Sequence, residues 1–402
     1  NFNTDFNNDI LTNHINEKKL SLLKQTLFNN LFYKPFNSSD KLYNDYNINI
    51  SENPSESIDL VDIEVKVEEK PTGELTFGAG YSTSQGGIAN LGIAERNLLG
   101  KAQRLAINAS LSQKRNRVSL SFAEPYFLNR DLLAGFEVFN TDSVYSESAY
   151  DSNQIGFTLN SAFGLGEYVR QSVNYRLERQ VLNAYSSASS SIKSLDGEYV
   201  LSSVSSNITY DKTDNRFDPS DGILVSVGAA LAGLGGDKHF LRLNQNASIY
   251  RPTFDRSIIV SMTGNIGLIN GIGENIDIND RFFLGGNSFK GFENRGLGPR
   301  DTSTDDSLGG NFYYTIKPEA KFGIGLPKEL GVKGRVFSMA GTLTEVDISA
   351  GVKDSGMIRL SSGVGLSWSS PFGPISMDFS QVWRKEDYDK TEIFSFGLGT
   401  AF

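Results

Sequence analysis

The chain has 402 residues, with 40 Gly, 11% aromatic residues, no Cys and a formal net charge of -9. The acidic balance disfavours nucleic-acid binding, which calls for basic surfaces, and the lack of Cys excludes disulfides and thiolate chemistry. No apolar run approaches the roughly 20 residues that a membrane-spanning helix needs, so a helical membrane protein is excluded.

Residues 1–71 are rich in Asn, Lys and Asp and differ in composition from the rest of the chain. Leucines at helical spacing predict an amphipathic helix over residues 15–32. Strands are predicted at 43–50 and at 60–68, where Val and Ile alternate with charged residues. We expect a small α+β module here. The start at Asn1, without Met or a leader, predicts a mature or trimmed chain.

From Pro71 onward the pattern changes to repeated strand, turn, strand. About sixteen segments between Glu74 and Phe402 alternate apolar residues with polar or small ones. An even number of such strands is typical of a closed antiparallel membrane barrel, with lipid outside and polar residues inside. A soluble β-sandwich is the alternative, disfavoured because its domains rarely exceed about 250 residues. The predicted fold is therefore all-β, a 16-stranded transmembrane barrel over 72–402.

The last predicted strand, 391–402, shows the alternation most clearly. Its apolar face carries Phe394, Phe396, Leu398 and Phe402, and its small face carries Ser395, Gly397, Gly399 and Ala401. Successive side chains of a strand point to opposite faces, so the first set is expected to face lipid.

The longest irregular stretch is 272–307, and loops of this length are usually functional or disordered. It contains Lys290, Gly291 and Phe292. This segment resembles the Val-Arg-Gly-Phe/Tyr motif in the sixth extracellular loop of the BamA-type outer-membrane assembly family. Further matches occur in the family's order at 67–73, 95–100, 124–127, 210–222, 307–311, 371–374 and Phe402.

The resemblance implies a sixteen-stranded barrel in a bacterial outer membrane, preceded by periplasmic POTRA modules. Members of the family fold and insert other barrel proteins. The implied partners are the lipid bilayer, unfolded β-barrel clients and accessory assembly lipoproteins. Residues 1–71 are interpreted as one POTRA-like module of a trimmed chain. The mitochondrial sorting-and-assembly counterpart, in the mitochondrial outer membrane, is the alternative.

The sequence departs from the family at two related positions. Lys290 stands in place of Arg, and Met339 stands where an acidic partner of that Arg is expected, whereas Glu319 matches the other acidic partner. Arg forks to two carboxylates, but Lys is a point charge. The hypothesis is that Lys290 reaches into the lumen and pairs with Glu319; the alternative is a solvated loop lysine.

The seam that closes the barrel joins the first predicted strand, 75–81, to the last. Both sides carry glycines, Gly78 and Gly80 on one and Gly397 and Gly399 on the other. Gly weakens a strand by roughly 0.5–1 kcal/mol relative to Ala. The hypothesis is that the seam opens laterally and pairs with a client strand. A disulfide between cysteines introduced at Gly80 and Gly397 would then lock the seam and block insertion. Packing alone is the alternative reason for these glycines.

Neither a catalytic nor a cofactor or metal site is predicted, and the chain is not expected to be an enzyme. The two histidines, His14 and His239, lie in unrelated contexts without a Cys to join them. Two other functions remain open. One is a two-partner-secretion pore of the same superfamily, which exports a polypeptide. The other is a passive porin, which is disfavoured because porins lack the loop motif.

Overall fold

The computed structural model of the chain describes residues 46–54, 61–69, 71–216, 218–348, 350–370 and 373–399. The predicted helix over 15–32 and the terminal Phe402 lie outside the described residues. The chain divides into two compact units, residues 1–73 and 74–402.

The first unit contains an antiparallel hairpin of β1 (Tyr46–Pro54) and β2 (Val61–Glu69). The predicted strand at 60–68 matches β2 within one residue at each end. β1 continues past the predicted end at Ile50, because residues 51–54 pair with residues 61–64 of β2 although their own sequence does not alternate.

The second unit is a closed barrel of sixteen antiparallel strands, as predicted. Its strands are β3 (Gly73–Ser82), β4 (Gly86–Leu98), β5 (Gln103–Ser112), β6 (Arg115–Glu124), β7 (Leu132–Tyr145), β8 (Tyr150–Gly164), β9 (Val169–Ala184), β10 (Gly197–Asp211), β11 (Gly222–Ala232), β12 (Phe240–Thr253), β13 (Ile258–Gly271), β15 (Phe312–Gly323), β16 (Val332–Thr344), β18 (Arg359–Ser370), β19 (Gly373–Arg384) and β20 (Phe394–Leu398). Each strand pairs with its neighbour in sequence, and β20 closes the circle on β3. Closure leaves no exposed sheet edge, which rules out the sandwich.

Two further strands lie in connections rather than in the wall. These are β14 (Arg300–Asp301) and β17 (Val352–Lys353), which pair with each other. One short α-helix, α1, spans Ser190–Lys193, and 3-10 turns occur at Phe127–Asn129, Ser146–Ser148, Ile278–Asp280 and Lys328–Leu330. Within the described ranges, the helices are all too short and too polar to cross a bilayer.

The side chains of the wall alternate between an apolar outer face and a polar inner face. In β19, Phe379 is 56% exposed on the outside, whereas Asp378 and Ser380 are buried on the inside. Exposed Leu, Ile, Val and Phe recur around the outer wall, for example Leu91, Ile93 and Val364. An apolar surface of this extent is stable against lipid rather than water.

The two ends of the barrel differ in the length of their connections. At the end where β3 begins, which we call the turn end, the connections are short, as at 99–102 and 254–257. At the opposite end, the loop end, they include 185–196, 272–311 and 385–393. These long connections pack on one another: a buried apolar cluster at the loop end contains Tyr150, Leu182, Ile192, Ile278 and Leu308. Residues of the 185–196 and 272–311 connections are therefore packed together at this end.

Candidate functional site

The structure describes a short ladder between β20 and β3. Among the described residues it consists of two pairs, Gly397 with Ser82 and Leu398 with Tyr81. The Thr83 N–H also donates to the Phe396 carbonyl at 3.1 Å. By comparison, β19 and β20 share five pairs and β8 and β9 share fifteen. Over the part of the chain that the structure describes, the seam is therefore shorter than these two ladders.

Glycine is required at the seam by the close approach of the two strands. A Cβ on Gly80 would lie 2.3 Å from the Leu398 carbonyl oxygen, and one on Gly399 would lie 2.6 Å from that of Ala79. Gly399 also has φ of +96°, a conformation that side chains disfavour. The register sets Gly397 opposite Ser82 rather than Gly80, so Gly80 and Gly397 are not direct partners.

The turn-end half of β3 exposes apolar side chains on its outer face. Leu75 and Phe77 are 79% and 75% exposed, and Gly78 lies half-buried between Phe77 and Ala79. On one edge β3 is joined to β4, where the Arg96 guanidinium donates to the Glu74 carboxylate at 2.9 Å. The described pairs with β20 begin only at Tyr81.

β20 shows the alternation predicted for the last strand. Ser395 and Gly397 are buried towards the lumen, whereas Phe394 is 40% exposed on the outer face. The Phe394 ring lies 4.9 Å from that of Phe379 on β19. On the seam side, the Phe396 ring lies 6.4 Å from that of Tyr81 on β3.

The connection between β13 and β15, residues 272–311, is called the internal loop, and it lies against the inner wall at its motif. Phe289 and Phe292 are fully buried and meet edge to face, with their ring centroids 5.3 Å apart. They pack in a cluster with Leu284, Leu297, Phe337, Met339 and Leu343. Gly291, at φ of +96°, lets the loop turn there, since a Cβ would lie 3.0 Å from Val382 of β19. Apolar burial on this scale fixes the loop to β16 and β19.

Lys290 points into the lumen, but its acidic partner is Asp378. The Lys290 Nζ lies 3.3 Å from Asp378 Oδ2 and donates to Ser395 Oγ at 3.1 Å. Its carbonyl accepts a hydrogen bond from Ser361 Oγ at 2.6 Å, and its N–H contacts the Met339 sulfur at 3.3 Å. Met339, where the family would place an acid, is thus an apolar contact of the loop.

The expected pair of Lys290 with Glu319 was wrong. Glu319 on β15 lies instead beside two lysines of its own strand, Lys317 at 3.4 Å and Lys321 at 3.9 Å. These two lysines balance the charge of Glu319, and Lys290 pairs with Asp378 on β19 instead. In the sequence, Asp378 lies opposite the apolar face of the alternating segment 375–383, but no spacing links this segment to the loop.

Asp378 also binds Arg335, which the sequence reasoning missed. Arg335, on the inner face of β16, donates to both carboxylate oxygens of Asp378, at 2.6 Å and 2.7 Å. The Asp378 side chain is only 1% exposed. Burial, with a smaller contribution from nearby Arg335, lowers the pKa of Lys290, while Asp378 opposes the shift. In this structure one carboxylate, that of Asp378, pairs with two cations, Lys290 and Arg335. The resemblance implied the opposite arrangement, in which one arginine pairs with two carboxylates.

Comparison with known proteins places the chain in a family. The Omp85 superfamily domain matches residues 97–402. The chain is 34% identical over 344 residues to "Outer membrane protein assembly factor BamA" of Neorickettsia risticii, covering 85% of this chain and 46% of that protein. It is 28% identical over 242 residues to "Sorting and assembly machinery component 50 homolog" of Homo sapiens, covering 58% and 50%. The chain spans about half the length of the curated relatives it matches.

Solved structures share the fold. BamA from Haemophilus ducreyi lacking POTRA domains 1–3 superposes with a TM-score of 0.78 at 22% identity, covering 96% of this chain and 78% of that one. CdiB from Acinetobacter baumannii gives a TM-score of 0.54 at 14% identity, covering 88% and 66%. With its closed sixteen-stranded barrel and a domain match over most of its length, the chain belongs to the Omp85 superfamily.

Proposed function

We propose that this chain acts in a bacterial outer membrane as an assembly factor that folds and inserts other β-barrel proteins. The observation that carries the proposal is the seam, where two residue pairs join β20 to β3 among the described residues. The names of the bacterial relatives, outer membrane protein assembly factors, support the same role. This role is that of a scaffold rather than an enzyme.

The physical basis is an exchange of backbone hydrogen bonds. In hydrocarbon, each unpaired N–H or C=O costs several kcal/mol, so a seam stays closed unless new partners replace the old. A client strand that adds to the edge of β3 supplies those partners by β-augmentation. Because new hydrogen bonds replace those that are broken, the exchange needs no external fuel.

The proposed partners are the lipid bilayer, unfolded β-barrel clients and accessory assembly lipoproteins. The outer wall contacts the lipid bilayer, and an unfolded β-barrel client contacts β3. Residues 1–71 are proposed as a POTRA-like periplasmic module whose β1–β2 hairpin binds clients or accessory assembly lipoproteins by edge pairing. A mitochondrial outer membrane is the alternative location, since the sorting and assembly machinery relatives also match.

The export pore remains the competing function, and the packed loop argues against it. Phe289 and Phe292 are fully buried against the inner wall, and residues of the 185–196 and 272–311 connections pack together at the loop end. A path for an extended polypeptide would require this packing to be undone. An assembly factor requires no such path.

The test measures two properties of the full chain in liposomes. A urea-unfolded outer-membrane barrel protein is added, and its folding is followed by the heat-resistant band on a gel, beside ion conductance across a planar bilayer. We expect faster client folding than in protein-free liposomes, with low conductance. High conductance with unchanged client folding would overturn the proposal in favour of a pore.

A further inference from the structure

The guanidinium group of Arg295, in the internal loop, lies between two aromatic rings. Its central carbon lies 3.7 Å from the centroid of the Tyr145 ring and 3.6 Å from that of the Phe283 ring. The group also donates hydrogen bonds to Ser148 Oγ at 3.0 Å and to the Tyr150 hydroxyl at 3.3 Å. Arg295 is only 9% exposed. Its charge is therefore stabilised in a buried site by neutral groups, the faces of the rings and the dipoles of the hydroxyls.

The backbone of Arg295 is strained. Its φ is +54°, in the left-handed region, which residues with a side chain disfavour. A glycine at this position would remove the strain. A strained backbone persists only where the surrounding contacts hold it, and here the enclosed guanidinium supplies them. The strain thus marks the side chain as the part of residue 295 that the fold uses.

Three partners of this guanidinium belong to one hairpin of the wall. Tyr145 is the last residue of β7, Tyr150 is the first residue of β8, and Ser148 lies in the turn between them. The two tyrosine rings also pack on each other, with their centroids 4.9 Å apart. The fourth partner, Phe283, belongs to the internal loop itself. Arg295 therefore attaches the internal loop to the loop end of the β7–β8 hairpin.

The loop motif is attached to the facing side of the barrel. Phe292 packs with residues of β16, and the Lys290 carbonyl accepts a hydrogen bond from Ser361 of β18. In the circle of sixteen strands, β16 lies eight places from β7 in either direction, and β18 lies eight places from β8. The internal loop therefore crosses the lumen and joins two facing parts of the wall.

We propose that Arg295 is a positioning residue whose enclosed guanidinium holds the internal loop to the β7–β8 hairpin, so that the loop remains a strut across the lumen and closes the lumen to ions. The packed motif and the Lys290–Asp378 pair hold the other end of the strut. This role concerns the closure of the lumen and goes beyond the proposed insertion of clients.

Ion conductance of the full chain in planar bilayers tests the role. Arg295→Met keeps much of the apolar bulk of the side chain but removes the cation, and it should raise the conductance several-fold over that of the unmodified chain. Arg295→Lys keeps a cation for the two rings to stabilise. Its conductance should lie closer to that of the unmodified chain than to that of Arg295→Met.

Phe139→Leu is the matched control. Phe139 lies on β7, and its ring contacts the guanidinium groups of Arg117 and Arg176, whose central carbons lie 4.4 Å and 5.1 Å from its centroid. Both arginines belong to neighbouring strands of the wall, β6 and β9. The variant thus loses cation–π contacts on the same strand without changing an attachment of the internal loop. Its conductance should equal that of the unmodified chain.

Arg295→Gly separates the side chain from the backbone. Glycine accepts a φ of +54° without strain, so this variant loses the contacts of the guanidinium but keeps the turn. It should conduct like Arg295→Met. Amide hydrogen exchange at residues 293–297 should rise about tenfold, the change in population that corresponds to loss of a desolvated cation–π contact. Unchanged exchange in β12 shows that the barrel of the variant is folded.

Tyr145→Leu keeps the test decisive if the Arg295 variants do not fold, because it removes one ring of the same contact from the wall side. It should raise the conductance and the exchange at 293–297 in the same direction. Unchanged conductance in the folded Arg295→Met, Arg295→Gly or Tyr145→Leu barrel would overturn the proposal. So would an equal rise in Arg295→Lys and Arg295→Met. Failure of the unmodified chain to fold clients would overturn the proposed function and leave the strut standing.

Discussion

The ammonium group of Lys290 lies 3.3 Å from the Asp378 carboxylate and joins the internal loop to the inner face of β19. Because Arg335 binds the same carboxylate, Asp378 balances two partly buried cations. Asp378→Asn would leave both without a charged partner and is expected to cost about 3–5 kcal/mol of stability. Urea unfolding in detergent micelles, followed by tryptophan fluorescence, measures the loss.

Two variants serve as comparisons for Asp378→Asn. Lys290→Met keeps the Arg335–Asp378 pair and should cost less. Glu319→Gln removes an acid that Lys290 does not contact and should leave the position of Lys290 unchanged. If Glu319→Gln destabilised the barrel as much as Asp378→Asn, the assignment of Asp378 as the loop's partner would be contradicted.

A disulfide across the seam should block insertion of clients. Ser82 and Gly397 are register partners next to the hydrogen-bonded Thr83 and Phe396. Such a non-hydrogen-bonded pair has its Cα atoms about 4.5 Å apart, within the range of a disulfide. The double variant Ser82→Cys/Gly397→Cys should lose client folding when oxidised and recover it on reduction.

The control for the locked seam is a disulfide elsewhere in the wall. Ser248 and Thr263 are register partners on β12 and β13, and their hydroxyl oxygens lie 3.0 Å apart. Ser248→Cys/Thr263→Cys should keep its activity in both redox states, since the chain has no other Cys. Full activity of the oxidised seam variant would contradict a lateral opening.

Gly365 makes room for the carboxylate of Asp378. A Cβ there would lie 2.1 Å from Asp378 Oδ1 and 2.8 Å from Arg335 Nε. Gly365→Ala is expected to cost about 1–3 kcal/mol through displacement of this pair. Gly264→Ala is the matched control, since its Cβ would meet only the Thr315 carbonyl at 3.9 Å; similar unfolding midpoints for the two variants would refute the steric argument.

Asp214 makes the turn between β10 and β11 sensitive to acid. The Ser220 hydroxyl and the backbone N–H groups of Asp221 and Ser220 donate to its carboxylate and lower its pKa from 3.8 to about 2. A lowered folded-state pKa gives stability that is present above the unfolded pKa and is lost as pH falls towards about 2. The stability difference between the unmodified chain and Asp214→Asn should therefore be constant above about pH 4 and shrink below it. Acid titration of urea midpoints measures this, and a difference independent of pH would contradict it.

The barrel was predictable from sequence because alternation is a local signal. The sequence predicts about sixteen alternating segments and the barrel has sixteen strands, since lipid on one face and lumen on the other impose period two. The register across the seam was not predictable. It depends on where two strands from opposite ends of the barrel meet, and no turn fixes that pairing.

The partner of Lys290 escaped prediction for a different reason. The sequence indicated a cation in the loop, Lys290, and the resemblance pointed to Glu319 as its partner, whereas the structure pairs it with Asp378. The choice between them depends on which cations already lie nearby, Lys317 and Lys321 for one and Arg335 for the other. That information belongs to neighbouring strands of the folded wall.

The seam between β3 and β20 also affects how this protein itself folds. It unites the two chain-terminal strands of the barrel, whereas every other ladder links near neighbours in sequence. Loop-closure entropy and contact order make such a distant contact the slowest to form. The last intermediate in folding should therefore be an open, curled sheet in which every ladder except that between β3 and β20 has formed.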